Sequence, residues 1–298
     1  MKKLYIFLLA MATLSIMSCS DDDKLSDTTI YTNTVPQRDA LDQWLLENYT
    51  YPYNVNFLYK YRDIESDMEY TLVPADSAKT AKLAKIVKYL WFDAYMETVG
   101  QEFVKSNVPR ILSLIGSPAY NNNGTMVMGT AEGGYKVVLY MVNWLTDETL
   151  HDYQVLTDYY FTTMHHEFMH ILNQKKPYDT NFDLISEKDY VSGDWYLQNT
   201  EQESQPAGFI RNYAQSEPRE DFAETYAQYI TNSDELWASK LANADAQEDQ
   251  KGSAIILQKL EMIRTYMKDS WNIDIDELHK AVQHRAVEMS SLDLEHLN

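Results

Sequence analysis

The sequence predicts an α+β fold, predominantly helical, in which a small sheet precedes one decisive helix. Three observations carry that expectation. Apolar residues recur at three- and four-residue spacing over long stretches, as in Leu83, Ile86, Val87, Leu90, Trp91 and Ala94, the period of a single buried helix face. Between residues 108 and 142 the pattern changes. Val108–Ile115, Gly124–Thr130 and Tyr135–Val142 are short β-rich runs bounded by Pro or Gly,. Beyond Asn232 helical patterning returns, strongest in Lys251–Met267 and Ile275–Met289, with a break near Trp271-Asn272,.

At the start, Lys2 and Lys3 precede an apolar run from Leu4 to Met17, shorter than the roughly 20 residues of a membrane-spanning helix. Ser15-Ile16-Met17-Ser18-Cys19 looks like a bacterial lipobox. Residues 1–18 are therefore expected to be a lipoprotein signal peptide, with Cys19 the lipidated first residue of the mature chain. The acidic Ser20-Asp21-Asp22-Asp23 resembles the export signal of surface lipoproteins in Bacteroidetes. The resulting expectation is an outer-membrane lipoprotein exposed at the cell surface, with a periplasm-facing orientation as the alternative. Cys19 is the one cysteine of the chain, which excludes an intrachain disulfide and a thiolate catalyst.

Residues 19–36 are polar and end in Pro36, the composition of a tether. Residues 37–298 then form the folded domain, with a helical C-terminal portion from about residue 232. Pro36 is placed to open the first helix, through Leu41, Trp44 and Leu45,. Tyr49–Tyr61, aromatic but broken by Pro52 and asparagines, reads as an ordered connection. Ser77–Val99 reads as a long helix whose Lys79, Lys82, Lys85 and Lys88 form a solvated stripe opposite the apolar face,. Gly133-Gly134 offers a tight turn into the last strand and lacks the Lys and Ser/Thr of a phosphate loop,. Thr146-Asp147-Glu148-Thr149 marks the next helix or turn start, and Asp158–Leu172 reads as a helix.

With 25 basic and 45 acidic side chains the formal charge is −20. The one lysine stripe reads as a solvated helix face within this acidic balance and not as a surface that neutralises phosphates, which argues against a nucleic-acid partner. The same charge disfavours lying on anionic lipid, leaving an N-terminal lipid as the membrane attachment. The 23 tyrosines suit recognition surfaces and cores alike, so no subsite follows from their number.

Chemistry enters at His165-His166-Glu167-Phe168-Met169-His170, which contains His-Glu-x-x-His inside an apolar-periodic segment. Four-residue spacing stacks His166 and His170 on one helix face. Zinc takes two such nitrogens, and Glu167 sits where it can deprotonate a metal-bound water. His165 is turned about 100° from His166 and reads as a surface or substrate-side residue. A catalytic zinc needs a third protein ligand and an open position. Asn173 and Lys176 break the pattern that continues to a third histidine. Glu187 lies at a feasible distance in sequence, without the flanking acidic spacing. The stronger candidate is Glu220-Asp221-Phe222-Ala223-Glu224: on a helix Glu220 and Glu224 share a face, one to bind metal and one to orient a ligating histidine. Asp221 is the nearby rival ligand, expected to point away from that face.

These two motifs resemble those of the gluzincin metallopeptidases. They are most similar to zinc metallohydrolase lipoproteins encoded beside Bacteroidetes outer-membrane nutrient importers, and similar in their catalytic motifs to anthrax lethal factor. The lipoprotein resemblance spans nearly the whole mature chain; the toxin resemblance spans about residues 157–230. It implies a zincin-like metalloprotease fold, one catalytic zinc held by His166, His170 and Glu220, Glu167 as general base, and Glu224 behind a ligand. It also implies a catalytic role for Tyr213, seven residues before the ligand glutamate. Asp221 stands where the toxin has an aromatic residue and Met169 where it has glycine, so its substrate does not transfer.

The function expected from these residues is zinc-dependent hydrolysis of peptide bonds in peptide or protein substrates, endopeptidase sooner than exopeptidase. The alternatives are hydrolysis of a non-peptide amide, or a zinc-containing binding or scaffold lipoprotein. Family context adds a TonB-dependent nutrient-import complex as an expected partner. The last strand before the metal helix is expected to pair with an extended peptide.

Overall fold

Asp39 starts the first helix by a reciprocal cap: its carboxylate accepts from Asp42 N at 2.8 Å, and that of Asp42 accepts from Asp39 N at 3.2 Å. A computed structural model describes residues 37–62, 69–122, 124–127, 129–132, 135–198, 200–246 and 251–297. The expected signal peptide, Cys19, the tether with Pro36, and Gly133-Gly134 lie outside these residues. Arg38–Asn298 form one unit, mostly helical with a small sheet.

Helix α1 (residues 40–53) runs from Ala40–Leu45 through a π turn, Leu46–Thr50, to Tyr51–Tyr53 and stops where Asn54 turns left-handed at φ 56°. Strand β1 (Asn56–Leu58) follows at once. The aromatic segment expected as a connection is thus a helix end and a strand. Its few residues carry no strand period; β1 exists because it pairs with residues 111–113 and packs Phe57 on Tyr49, ring centroids 4.8 Å apart.

Helix α2 (residues 77–98) starts under an Asp76 cap and contains a π turn, Lys88–Phe92. Its predicted apolar face, from Leu83 to Ala94, is buried. The lysine stripe faces outward and straps other segments down. Lys79 Nζ donates to Asn143 O at 2.6 Å, and Lys82 Nζ reaches Asp147 and Glu295 at 2.9 and 2.6 Å. Each such surface contact contributes little alone. After α3 (Gln101–Asn107) come β2 (Ile111–Leu114), β3 (Ala119–Tyr120), β4 (Met126–Val127), β5 (Gly129–Glu132) and β6 (Lys136–Leu139).

The main sheet has the order β1-β2-β6-β5, parallel except for β5, which runs antiparallel to β6 at the edge. β3 and β4 form a separate ribbon, so the Gly124–Thr130 run divides between two sheets. This topology corrects the peptide-pairing expectation. The last strand, β6, is paired on both sides; the edge strands are β1 and β5, and β5 is the one beside the metal helix. Gly129 lets that edge approach the next helix: a Cβ there would stand 2.5 Å from Thr163 Cγ2 and 2.9 Å from Val138 O.

Helix α4 (residues 153–175) joins Tyr153–Leu156, a π turn at Thr157–Phe161, and Thr162–Lys175. It packs along α5 (Pro218–Thr231), while Phe168 is buried against Trp91, Tyr95 and Phe103 and Phe222 against Tyr178, Phe182 and Tyr266. Helices α6 (Asp234–Ala244), α7 (Gly252–Trp271) and α8 (Ile275–Glu288) complete the chain, and α7 and α8 brace α5 from behind. Among the described residues no helix is long and apolar enough to cross a membrane.

Candidate active site

The geometry begins with α4. Phe168, Met169, Ile171 and Leu172 are buried on its other faces, so the helix cannot rotate without exposing them. That fixes His166 and His170 on the side facing α5, their Nε2 atoms 3.0 Å apart. Helix α5 opens with Pro218 and places Glu220 in its first turn, where the helix dipole favours a carboxylate. Glu220 Oε2 lies 2.9 Å from His166 Nε2, and Oε1 lies 3.3 Å from His170 Nε2. All three donor atoms fall within 4.8 Å of one another.

This donor set fits a zinc ion. Glu220 Oε2 is buried, and no donor among the described residues meets it in good hydrogen-bonding geometry. Two imidazole lone pairs and a carboxylate meeting at one point repel unless a positive charge lies between them. His166 Nδ1 stands 2.7 Å from Glu224 Oε1, an arrangement that keeps the proton on Nδ1 and turns the Nε2 lone pair to the cluster. Glu224 is buried, and Arg211 compensates it: Nε contacts Oε2, and Nη2 donates to Oε1 at 3.2 Å. Against the cost of burial, Arg211 and His166 hold the Glu224 carboxyl below the usual carboxylate range,.

Glu167 and Tyr213 stand beside the triad. Burial pushes the Glu167 carboxyl up, and the neighbouring histidines oppose that shift. The Tyr213 ring centroid is 5.9 Å from that of His166, and Trp195 meets the same ring edge-on at 5.0 Å. Burial, with Glu220, Glu224 and Glu167 nearby, raises the Tyr213 hydroxyl far above its ordinary pKa, so it stays a donor. Two recesses flank the triad. One, of about 330 Å³, is bordered by Met126, Val127, Gly129, Thr163, Trp195 and Tyr213. The other, of about 410 Å³, contains Glu167, His170, Tyr178, Arg219 and Glu220.

The structure thus brings together His166, Glu167, His170, Tyr213, Glu220 and Glu224. It leaves out Glu187, which is exposed and outside the cluster. Asp221 points the other way, as expected, into a buried contact with Lys259. His165 is a correction: it is fully buried, with Nδ1 3.0 Å from Tyr95 Oη, itself 2.7 Å from Tyr226 Oη. A 100° turn from the metal face leads into the core between α2 and α5, and burial there lowers His165 to about 3, leaving it neutral,. Arg211 and Trp195 were not foreseen. Arg211 lies two residues before Tyr213, but nothing local marks it as the partner of Glu224.

A His-Glu-x-x-His helix packed on a glutamate helix, under an antiparallel sheet edge, defines a metallohydrolase with a two-histidine, one-carboxylate centre. The sequence model of the family described as "Putative zinc-binding metallo-peptidase" matches residues 34–276. The chain belongs to that family, and its cofactor is zinc. A crystal structure described as a putative zinc-binding metallo-peptidase from Bacteroides caccae is similar at 42% identity with a TM-score of 0.74. The match covers 91% of this chain and 100% of that one. Among curated proteins none matches significantly.

Proposed function

We propose that the chain hydrolyses peptide bonds at the cell envelope, with His166, His170 and Glu220 as zinc ligands. The observation that carries this reading is the meeting of those three side chains beside the half-buried Glu167, which lines the adjoining recess. Bound zinc supplies Lewis-acid activation of water and of the scissile carbonyl. Glu167 takes the proton from the attacking water and passes it to the leaving amine. Glu224, neutralised by Arg211, holds the His166 ring,. The open edge of β5 offers backbone groups to an extended peptide, which favours cuts inside a chain,. Lipidation of Cys19 would attach the enzyme to the outer membrane, an assignment supported by Ser15-Ile16-Met17-Ser18-Cys19.

Proteome-derived peptides incubated with zinc-loaded enzyme, with and without chelator, test the activity directly. Chelator-sensitive cuts at internal positions are expected. Folded, zinc-loaded protein that leaves every peptide intact would overturn the reading in favour of another amide or a binding role. Cuts confined to chain ends would make it an exopeptidase.

Tyr213 is the proposed oxyanion donor, because its hydroxyl remains protonated beside the triad,. Tyr213→Phe keeps the ring and its contact with Trp195. Its turnover is expected to fall roughly 10²-fold, with zinc content and melting temperature near wild type. Steady-state kinetics with metal analysis decides the matter: unchanged turnover, or a loss that tracks lost zinc, removes Tyr213 from the chemistry.

A further inference from the structure

Directly behind the proposed ligand Glu220, the next residue, Asp221, is fully buried and meets a fully buried Lys259 at 2.6 Å. Its other contacts are also satisfied: Tyr190 Oη donates to Oδ2 at 2.9 Å and Thr225 Oγ1 to Oδ1 at 3.3 Å. The Lys259 ammonium has three protons to place. One faces Asp221, one goes to Gly208 O at 2.8 Å, and the cation lies 3.9 Å from the Phe209 ring centroid. Gly208 is held there by shape. Its φ is +86°, and a Cβ would come within 2.4 Å of Ile255 Cγ2 on the same helix as Lys259.

The position of this pair matters more than its burial. Asp221 belongs to α5, one residue past the ligand Glu220. Gly208 and Phe209 begin the segment that delivers Arg211 to Glu224 and Tyr213 to the cluster. Lys259 comes from α7, which supplies none of the groups gathered at the triad. One ammonium therefore ties together the two stretches of chain whose relative placement sets the site. Burial pushes Asp221 up and Lys259 down, while their mutual attraction opposes both. Such a pair is poor as a source of stability, because apolar residues of similar size commonly serve a core as well or better. A core that needed only filling would not call for it.

We propose that the Lys259–Asp221 pair is a positioning device that fixes the Glu220 ligand relative to the Arg211–Tyr213 segment. The proposal rests on the zinc-site reading above, and its test reads the metal separately from peptide cleavage.

The test is Asp221→Leu combined with Lys259→Met, which removes both charges and both hydrogen-bonding ends while keeping side chains of similar length and branching. Zinc affinity is measured by chelator competition, geometry by the visible spectrum of the cobalt-substituted protein, and turnover on a peptide from the cleavage screen. The doubly substituted protein is expected to fold with a melting temperature near wild type. Its zinc affinity should fall about tenfold, its cobalt spectrum should shift, and kcat should fall by at least tenfold with KM little changed. A folded double variant with wild-type zinc affinity, cobalt spectrum and kcat would overturn the proposal and leave the pair as packing. Should that variant fail to fold, Asp221→Asn with Lys259→Met keeps the Tyr190 contact and is judged by the same three measurements. Wild-type protein that binds no zinc refutes the metal reading, and the positioning role with it. Wild-type protein that binds zinc but cuts no peptide refutes only the peptidase reading, and affinity and spectrum still decide the role of the pair.

Discussion

Glu167→Gln is expected to lower turnover by about 10²- to 10⁴-fold, the span that a positioned general base contributes, while zinc content stays at one ion per chain. The amide is nearly isosteric and cannot accept the proton. None of the three ligand atoms belongs to Glu167, so metal affinity should be preserved. Folding should also survive: burial disfavours the charged carboxylate here, and a neutral amide removes that cost. Single-turnover kinetics alongside metal analysis separates the explanations. A variant that retains turnover would show that another group moves the proton. Loss of turnover together with zinc would mean the substitution damaged the site, not the chemistry.

How far this site was legible depends on which contacts are local. His166 and His170 are four residues apart on a helix, and so are Glu220 and Glu224. The helical repeat alone therefore brings each pair to one face, and the sequence reading found both. The burial of α2 through Leu83, Leu90 and Trp91 was legible for the same reason. The partners that finish the site are distant in sequence and follow no period. Arg211 reaches Glu224 across 13 residues, and Lys259 reaches Gly208 across 51. Strand β1 has three residues and depends on β2 for its existence. His165 shows the limit within a helix: spacing gives its angle from His166 but not whether that side meets solvent or core. Helical spacing turns Asp221 away from the metal face, yet its buried cation, Lys259, lies 38 residues on and follows no local pattern.

The largest loss of stability is expected from Lys259→Met alone. That change strands Asp221 in the interior with only the Tyr190 and Thr225 hydroxyls for support. Removing one member of a buried ion pair typically destabilises a fold by about 3–5 kcal/mol, because the remaining charge has no water and no counter-ion. Gly208 O loses its donor as well, which adds to the effect. Adding Asp221→Leu removes the stranded carboxylate, so the double variant should recover most of the loss despite carrying one more substitution. The coupling between the two positions should therefore be large and of opposite sign to the single effects. Urea unfolding of wild type, both single variants and the double variant closes this cycle, all measured without metal so that zinc binding does not contribute. If the losses of the two single variants simply add, Asp221 and Lys259 do not compensate each other, and the pair is not the unit its geometry describes. If Lys259→Met unfolds at the wild-type midpoint, Asp221 is held protonated by its surroundings, and the ammonium is not what keeps it buried.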